Sequence, residues 1–110
     1  MKLGFILTKT PSEEGFRTFL KFLEIYIANE DVSIYLLGNG VYCFVEGQSK
    51  SLKLMNILQK SKASKIYACL DDLKARGLNA NKLFDYVESF DTYDKIVHDI
   101  MENMDQVFSF

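Results

Sequence analysis

The chain has 110 residues, of which 48% are hydrophobic, 25% charged and 14% aromatic, and its formal net charge is −2. These values describe an ordinary globular chain with one core spanning residues 1–110, large enough to need neither a disulfide nor a structural metal. Scattered lysines and a slight acidity argue against a nucleic-acid-binding face, and no apolar stretch approaches the ~20 residues of a membrane span.

The chain opens with MKLGFILTKTPSEEG, whose apolar run is too short for a secretory signal and carries no small-residue cleavage site. A cytoplasmic location is expected from this. KLGFILT reads as a buried strand, and helix-start signals crowd together after it. Thr10 is placed as the N-cap, Pro11 as the first helical residue, and Glu13 as the return arm of a capping box. The helix is predicted to run to about Ala28, with Phe16, Phe19, Leu20, Leu23, Tyr26 and Ile27 on the face that meets a sheet.

DVSIYLL is the second predicted strand, and GNGVYC follows it as a tight turn in which the glycines allow positive φ. The stretch EGQSKSLKLMNILQKSK predicts a helix capped near Ser49 or Ser51, with Leu52, Met55 and Leu58 on one face. SKIYACL is the third strand. DDLKARG is a short helix with Asp71 and Asp72 in its first turn, Lys74 and Arg76 in its last, and Gly77 as its C′ residue. A short fourth strand is expected around Tyr86 to Glu88, then a helix capped by Asp91 or Thr92 with Tyr93, Ile96, Val97, Ile100, Met101 and Met104 on one stripe. QVFSF closes the chain as a fifth strand. Phe44, Phe84, Phe90 and Phe110 fall at element ends and are expected at the surface. The alternation of strands and helices gives an α/β class: a three-layer α/β/α domain with a mainly parallel five-stranded sheet.

In such a sheet, ligands sit beyond the carboxyl ends of the strands, where loops and helix N-termini present unpaired backbone donors. Three loops meet that condition: the one holding Thr8; the one running through Gly38, Asn39, Gly40, Val41, Tyr42 and Cys43; and the one at Cys69 and Asp71. Two readings of Cys69 stand. At a strand-to-helix junction its sulfur would feel the helix dipole, which favours thiolate, while Asp71 and Asp72 oppose it; alternatively it packs as a small buried hydrophobe, as unpaired cysteines usually do. Cys43 lies among more apolar neighbours and reads as packing. A Cys43–Cys69 redox pair would need Cβ atoms about 4 Å apart. GNG is too short for a phosphate loop, and His98, the only histidine, falls off the apolar stripe and reads as a surface residue. Asp71 and Asp72 point different ways on a helix and complement its N-terminus rather than share a proton. Neither a metal nor a cofactor is expected, since two thiols and one histidine make no zinc site.

YLLGNGVY at 35–42, KIYACLDDLKARGL at 65–78 and DTYDKIVHDIMENMDQVFSF at 91–110 together resemble the DsrE/DsrF/DsrH-like family of small sulfur-relay proteins. The family's turn after strand 2 is D-G-V-Y-like; here it is Asn39-Gly40-Val41-Tyr42, with an amide in place of the acid. Its third strand ends in a cysteine followed by a helix closing on an R-G pair, matched here by Cys69 and Arg76-Gly77. YACLDDLKARGL is DsrE/DsrF-like in its cysteine and DsrH-like in its helix. The resemblance implies a DsrE-like fold and a carrier more than an enzyme. Cys69 would accept persulfide sulfur from a donor protein and pass it to an acceptor, with the Gly38–Cys43 loop shaping the pocket beside it. It also implies a homo-oligomer, trimer or hexamer. The alternative is a small-molecule or protein-binding module using the same edge, with Cys69 structural.

Overall fold

A computed structural model describes residues 1–10, 12–44, 65–78 and 87–110. Its elements in chain order are β1 (Lys2–Leu7), α1 (Glu14–Tyr26), β2 (Asp31–Leu36), a 3-10 helix (Gly38–Phe44), β3 (Lys65–Cys69), α2 (Leu70–Ala75), β4 (Val87–Phe90), α3 (Tyr93–Asn103) and β5 (Gln106–Ser109). The five strands form one sheet in the order β4-β3-β2-β1-β5, and all four pairings are parallel. The fold is thus α/β with an all-parallel sheet. The helix expected over EGQSKSLKLMNILQKSK lies outside the described residues. No helix among the described residues is long and apolar enough to cross a membrane.

Strand alternation sends successive side chains to opposite faces, and the chain uses this to build two clusters. Leu3, Phe5 and Leu7 of β1, Val32, Ile34 and Leu36 of β2, and Ile66 and Ala68 of β3 meet Phe16, Phe19, Leu23 and Ile27 from the α1 segment. On the other face Tyr35, Tyr67 and Cys69 meet Ile96 of α3, with Ile6, Leu37, Phe90 and Ile100 packed around them. The sheet is therefore sandwiched between α1 and α3.

The start of α1 differs from the sequence expectation. The helix begins at Glu14, four residues beyond Thr10, with Glu13 as its N-cap, and it ends at Tyr26 rather than Ala28. Half of the capping box is nonetheless made: the Thr10 backbone N–H donates to Glu13 Oε2 at 2.7 Å. The Thr10 hydroxyl lies 3.1 Å from that of Ser12 instead of completing the reciprocal bond. The end of α2 follows the expectation closely. Gly77 has φ 68°, its N–H donates to the Lys74 carbonyl at 3.1 Å, and the Leu78 N–H donates to the Leu73 carbonyl at 2.9 Å. This is a Schellman C-cap, with Leu73 and Leu78 both in the α1-side cluster.

Two expectations about exposure are corrected. Phe110 is not a surface ring: it sits 5.6 Å from Phe19 and 5.5 Å from Phe22, and Phe90 stacks on Tyr67 at 4.7 Å. These rings belong to edge strands, and an edge strand of a sandwiched sheet still has covered faces. Conversely, the apolar stripe of α3 is only partly used. Ile96 is buried, but Tyr93, Val97 and Met101 are 44%, 51% and 78% exposed.

Candidate functional site

Cys69 ends β3 and is the N-cap of α2, so the sequence reading of a strand-to-helix junction at the carboxyl edge holds. Its side chain points to the α3 face and is completely covered, packed in the cluster of Tyr35, Tyr67 and Ile96. Across the β3–β4 ladder its register partner is Phe90. Cys43 also lies at the carboxyl edge but packs on the α1 face, where its Sγ donates to the Lys9 carbonyl at 3.2 Å. Burial, then the Glu13 charge, pushes the Cys43 thiol up to about 12. The two sulfurs belong to clusters on opposite faces of the sheet, and neither is in a disulfide. The redox pair is excluded by that arrangement.

The loop after β2 is a 3-10 helix rather than a tight turn. The Leu37 N–H donates to the Leu7 carbonyl at 3.0 Å, and a Cβ on Gly40 would lie 1.9 Å from that same oxygen, so residue 40 has no room for a side chain. Gly40, Val41 and Cys43 are buried by this docking, Tyr42 is half-buried, and Asn39 is exposed. Thr8 is engaged elsewhere: its hydroxyl and its N–H both donate to the Phe110 carbonyl, at 2.8 and 2.9 Å, tying the chain end to β1. Asp71 faces solvent.

What gathers beside Cys69 is a network around Asp72, which is only 7% exposed. Its Oδ2 accepts the Gly38 N–H at 2.7 Å, an approach made possible by the positive φ of Gly38, +55°. Its Oδ1 accepts from Arg76 Nη1 at 3.4 Å and from the Tyr93 hydroxyl. Arg76 also donates through Nη1 to the Asp72 carbonyl at 3.1 Å and through Nε to Asn39 Oδ1 at 3.0 Å. Three chain segments, the loop after β2, α2 and the start of α3, therefore meet on one buried carboxylate. A buried charge with a cation and two further donors is satisfied, and removing any partner exposes a desolvation cost. The hydrogen bond to Asp72, then burial, pushes the Tyr93 phenol up to about 12, with the nearby Cys69 adding to the rise.

Deeper on the same face, Tyr35 donates to Asp99 Oδ2 at 2.5 Å and stacks on Tyr67 at 5.4 Å. Burial, then the bond to Asp99, raises the Tyr35 phenol far above its ordinary range. Of the residues expected to form the site, Gly38, Asn39 and Cys69 come together around α2. Thr8 and Asp71 stand apart from this network. The sequence reading missed Asp72, Arg76 and Tyr93 as a unit. The spacing of Asp72 and Arg76, four apart on a helix, is a legible ion-pair signal; nothing in the sequence ties Tyr93 to them. His98 is exposed as expected, its Nε2 3.1 Å from Glu102 Oε2.

The family model described as DsrH like protein matches residues 9–106. No curated protein matches the sequence. Among solved structures, the chain is similar to the ychN protein from E. coli, with a TM-score of 0.83 at 19% identity over 100% of this chain and 99% of that one. It is also similar to MTH1491 from Methanobacterium thermoautotrophicum, a protein of unknown function, with a TM-score of 0.82 at 14% identity over 99% and 98% of the two chains. The solution structure of Tm0979 from Thermotoga maritima gives 0.56 at 19% identity, over 94% of each chain. At these identities the structures establish the fold.

Proposed function

The chain belongs to the DsrH-like family, and from that premise we propose that it is a cytoplasmic sulfur-relay protein in which Cys69 accepts a sulfane sulfur and hands it to a partner protein. The position of Cys69 carries this reading: it is the N-cap of α2 at the carboxyl edge, directly beside the Asp72 network. The step is a thiol exchange. The Cys69 thiolate attacks the terminal sulfur of a donor persulfide, a new S–S bond forms to Cys69, the donor's S–S bond breaks, and the donor leaves as a thiolate. The acceptor protein's thiolate repeats the attack on the Cys69 persulfide. Because the Cys69 side chain is covered, the sulfur must be uncovered for either step, and the hydrogen bond of Tyr93 to Asp72 is the link whose parting would let the start of α3 swing off α2. The partners in this reading are sulfur donor and acceptor proteins and further copies of the chain, for which the exposed Tyr93, Val97 and Met101 offer a contact face.

The test is mass spectrometry after incubation with a low-molecular-weight persulfide donor. The expected result is one added sulfur atom on the wild-type chain, absent from Cys69→Ser and retained by Cys43→Ser. A chain left unmodified at Cys69, under conditions in which a control thiol protein is modified, would sink the reading. The complete burial of Cys69 favours a second reading, a binding module that uses the same carboxyl edge while Cys69 only packs. Thiol labelling of the native chain separates the two: labelling that occurs only upon global unfolding, tracked in urea, selects the binding module.

A further inference from the structure

At the opposite, amino edge of the sheet, between β1–β3 and the end of α3, lies a cavity of about 220 Å³. Its floor is the α3 face of three neighbouring strands, with Lys2 from β1, Asp31 from β2, and Lys65 and Tyr67 from β3; Asp99 and Asn103 of α3 form its wall. The volume is below the ~300 Å³ at which pockets for drug-sized ligands begin, so only a small polar molecule fits.

The lining groups fall into two sets. Asp99 is already engaged, accepting from Tyr35 at 2.5 Å and from Asn103 Nδ2 at 2.6 Å. Four others have no hydrogen bond or ion pair from their side chains among the described residues: the Lys2 and Lys65 ammoniums, the Asp31 carboxylate and the Tyr67 hydroxyl. Tyr67 is decisive, because the residue is only 8% exposed and lines the cavity, yet its hydroxyl bonds to no described group. The strand register places Lys2 opposite Asp31, while Lys65 stands one strand further on, opposite Ser33. At about 4.8 Å per strand and about 3.3 Å per residue, the two lysine backbones are about 10 Å apart across β2 and about 7 Å apart along it, or about 12 Å in all.

Taken with Asp99, the lining carries two cations and two anions, so its field favours neither a simple anion nor a simple cation. The unspent groups instead match a molecule that bears both charges. We propose that this cavity is a binding site for a small zwitterion of the α-amino-acid class. The ligand's carboxylate is held by Lys2, Lys65 and the Tyr67 hydroxyl, and its ammonium is held by Asp31. The site stands apart from the sulfur reading, since its charged groups lie at the far end of β3 from Cys69, and Tyr67, though it packs in the Cys69 cluster, takes no part in that chemistry.

The test is an NMR amide-shift titration of the full chain at neutral pH with glycine and L-serine, and in separate arms with acetate, ethylamine and inorganic phosphate. The expected result is a saturable shift at residues 2, 31, 65 and 103 by the amino acids, tighter than by acetate or ethylamine by about tenfold, or 1.4 kcal/mol. Lys65→Met, at an exposed position, and Tyr67→Phe should each weaken that binding while leaving the rest of the spectrum in place. The proposal is overturned if neither amino acid gives a saturable shift up to about 20 mM, a range that covers Kd values near ~1 mM. It is also overturned if acetate or phosphate binds as tightly as the amino acids, which makes this an anion site, or if Lys65→Met and Asp31→Asn both bind as the wild type does.

Discussion

On the α1 face of the sheet, Phe5, Phe19, Phe22, Phe108 and Phe110 interlock with ring centroids 5.5–6.0 Å apart, and the helix contributes three fully buried side chains. On the α3 face the helix buries only Ile96, and its hold also runs through polar contacts: Asp99 to Tyr35 of the sheet, and Tyr93 at its start to Asp72 of α2. Apolar burial is non-directional and contributes in proportion to area, whereas a hydrogen bond nets only about 0.5–1.5 kcal/mol but fixes geometry. The first face thus supplies stability. The second supplies a helix that is precisely aimed yet more easily displaced, and both Cys69 and the amino-edge cavity lie beneath it.

The largest effect that would test this asymmetry is expected from Phe19→Ala. The ring is completely buried and meets Phe5, Phe16 and Phe110 edge-on. Its removal should lower unfolding stability by about 3–5 kcal/mol, read from urea denaturation. Ile96→Ala on the other face should fall near the lower end of its class, about 2 kcal/mol, because the helix around it is already half solvated. It should also speed thiol labelling of Cys69, which shares its cluster. Equal costs for the two variants would erase the distinction between the faces.

A smaller effect, with a distinctive pH signature, is expected at Tyr93. Its phenol is held neutral by the bond to Asp72 and rises from 10.0 to about 12. A folded-state value above the unfolded one means that this contribution is complete below pH 10.0, the unfolded value, and is lost as pH climbs through about 12. Tyr93→Phe should therefore cost about 0.5–1.5 kcal/mol at neutral pH and flatten the alkaline fall in stability. It should also raise the rate at which Cys69 is labelled. A variant that loses stability but leaves the labelling rate unchanged would mean that α3 does not cover the sulfur.

The architecture was legible in the sequence because β1, β2 and β3 are short apolar runs bounded by turn chemistry and α1 and α3 carry 3.6-residue stripes, and the edge position of Cys69 follows from this; the fourth strand, expected around Tyr86 to Glu88, runs over Val87–Phe90. The helix start was misread because T-P-S-E satisfies the capping-box pattern while the chain forms only one of its two bonds. The choice between the two readings of Cys69, and the joining of Tyr93 to Asp72 and Arg76, were not legible. They depend on which face of β3 meets α3, and on a contact between residues 72 and 93 that no local pattern encodes. The glycine at 40 reads as a turn residue, but its reason is contact with the Leu7 carbonyl, a neighbour distant in sequence.

The smallest expected change in stability is the one that decides what the α3 face meets. Val97 and Met101, 51% and 78% exposed, stand one turn apart and continue the line from Tyr93. In an isolated chain, replacing exposed apolar side chains with serine should move stability by no more than about 0.5 kcal/mol per site. If this face joins copies of the chain, the double variant Val97→Ser, Met101→Ser will shift the mass measured by light scattering from oligomer to monomer. Its stability will then become independent of protein concentration while the wild type's is not. A wild-type chain that is monomeric at every concentration tested would rule out the oligomer.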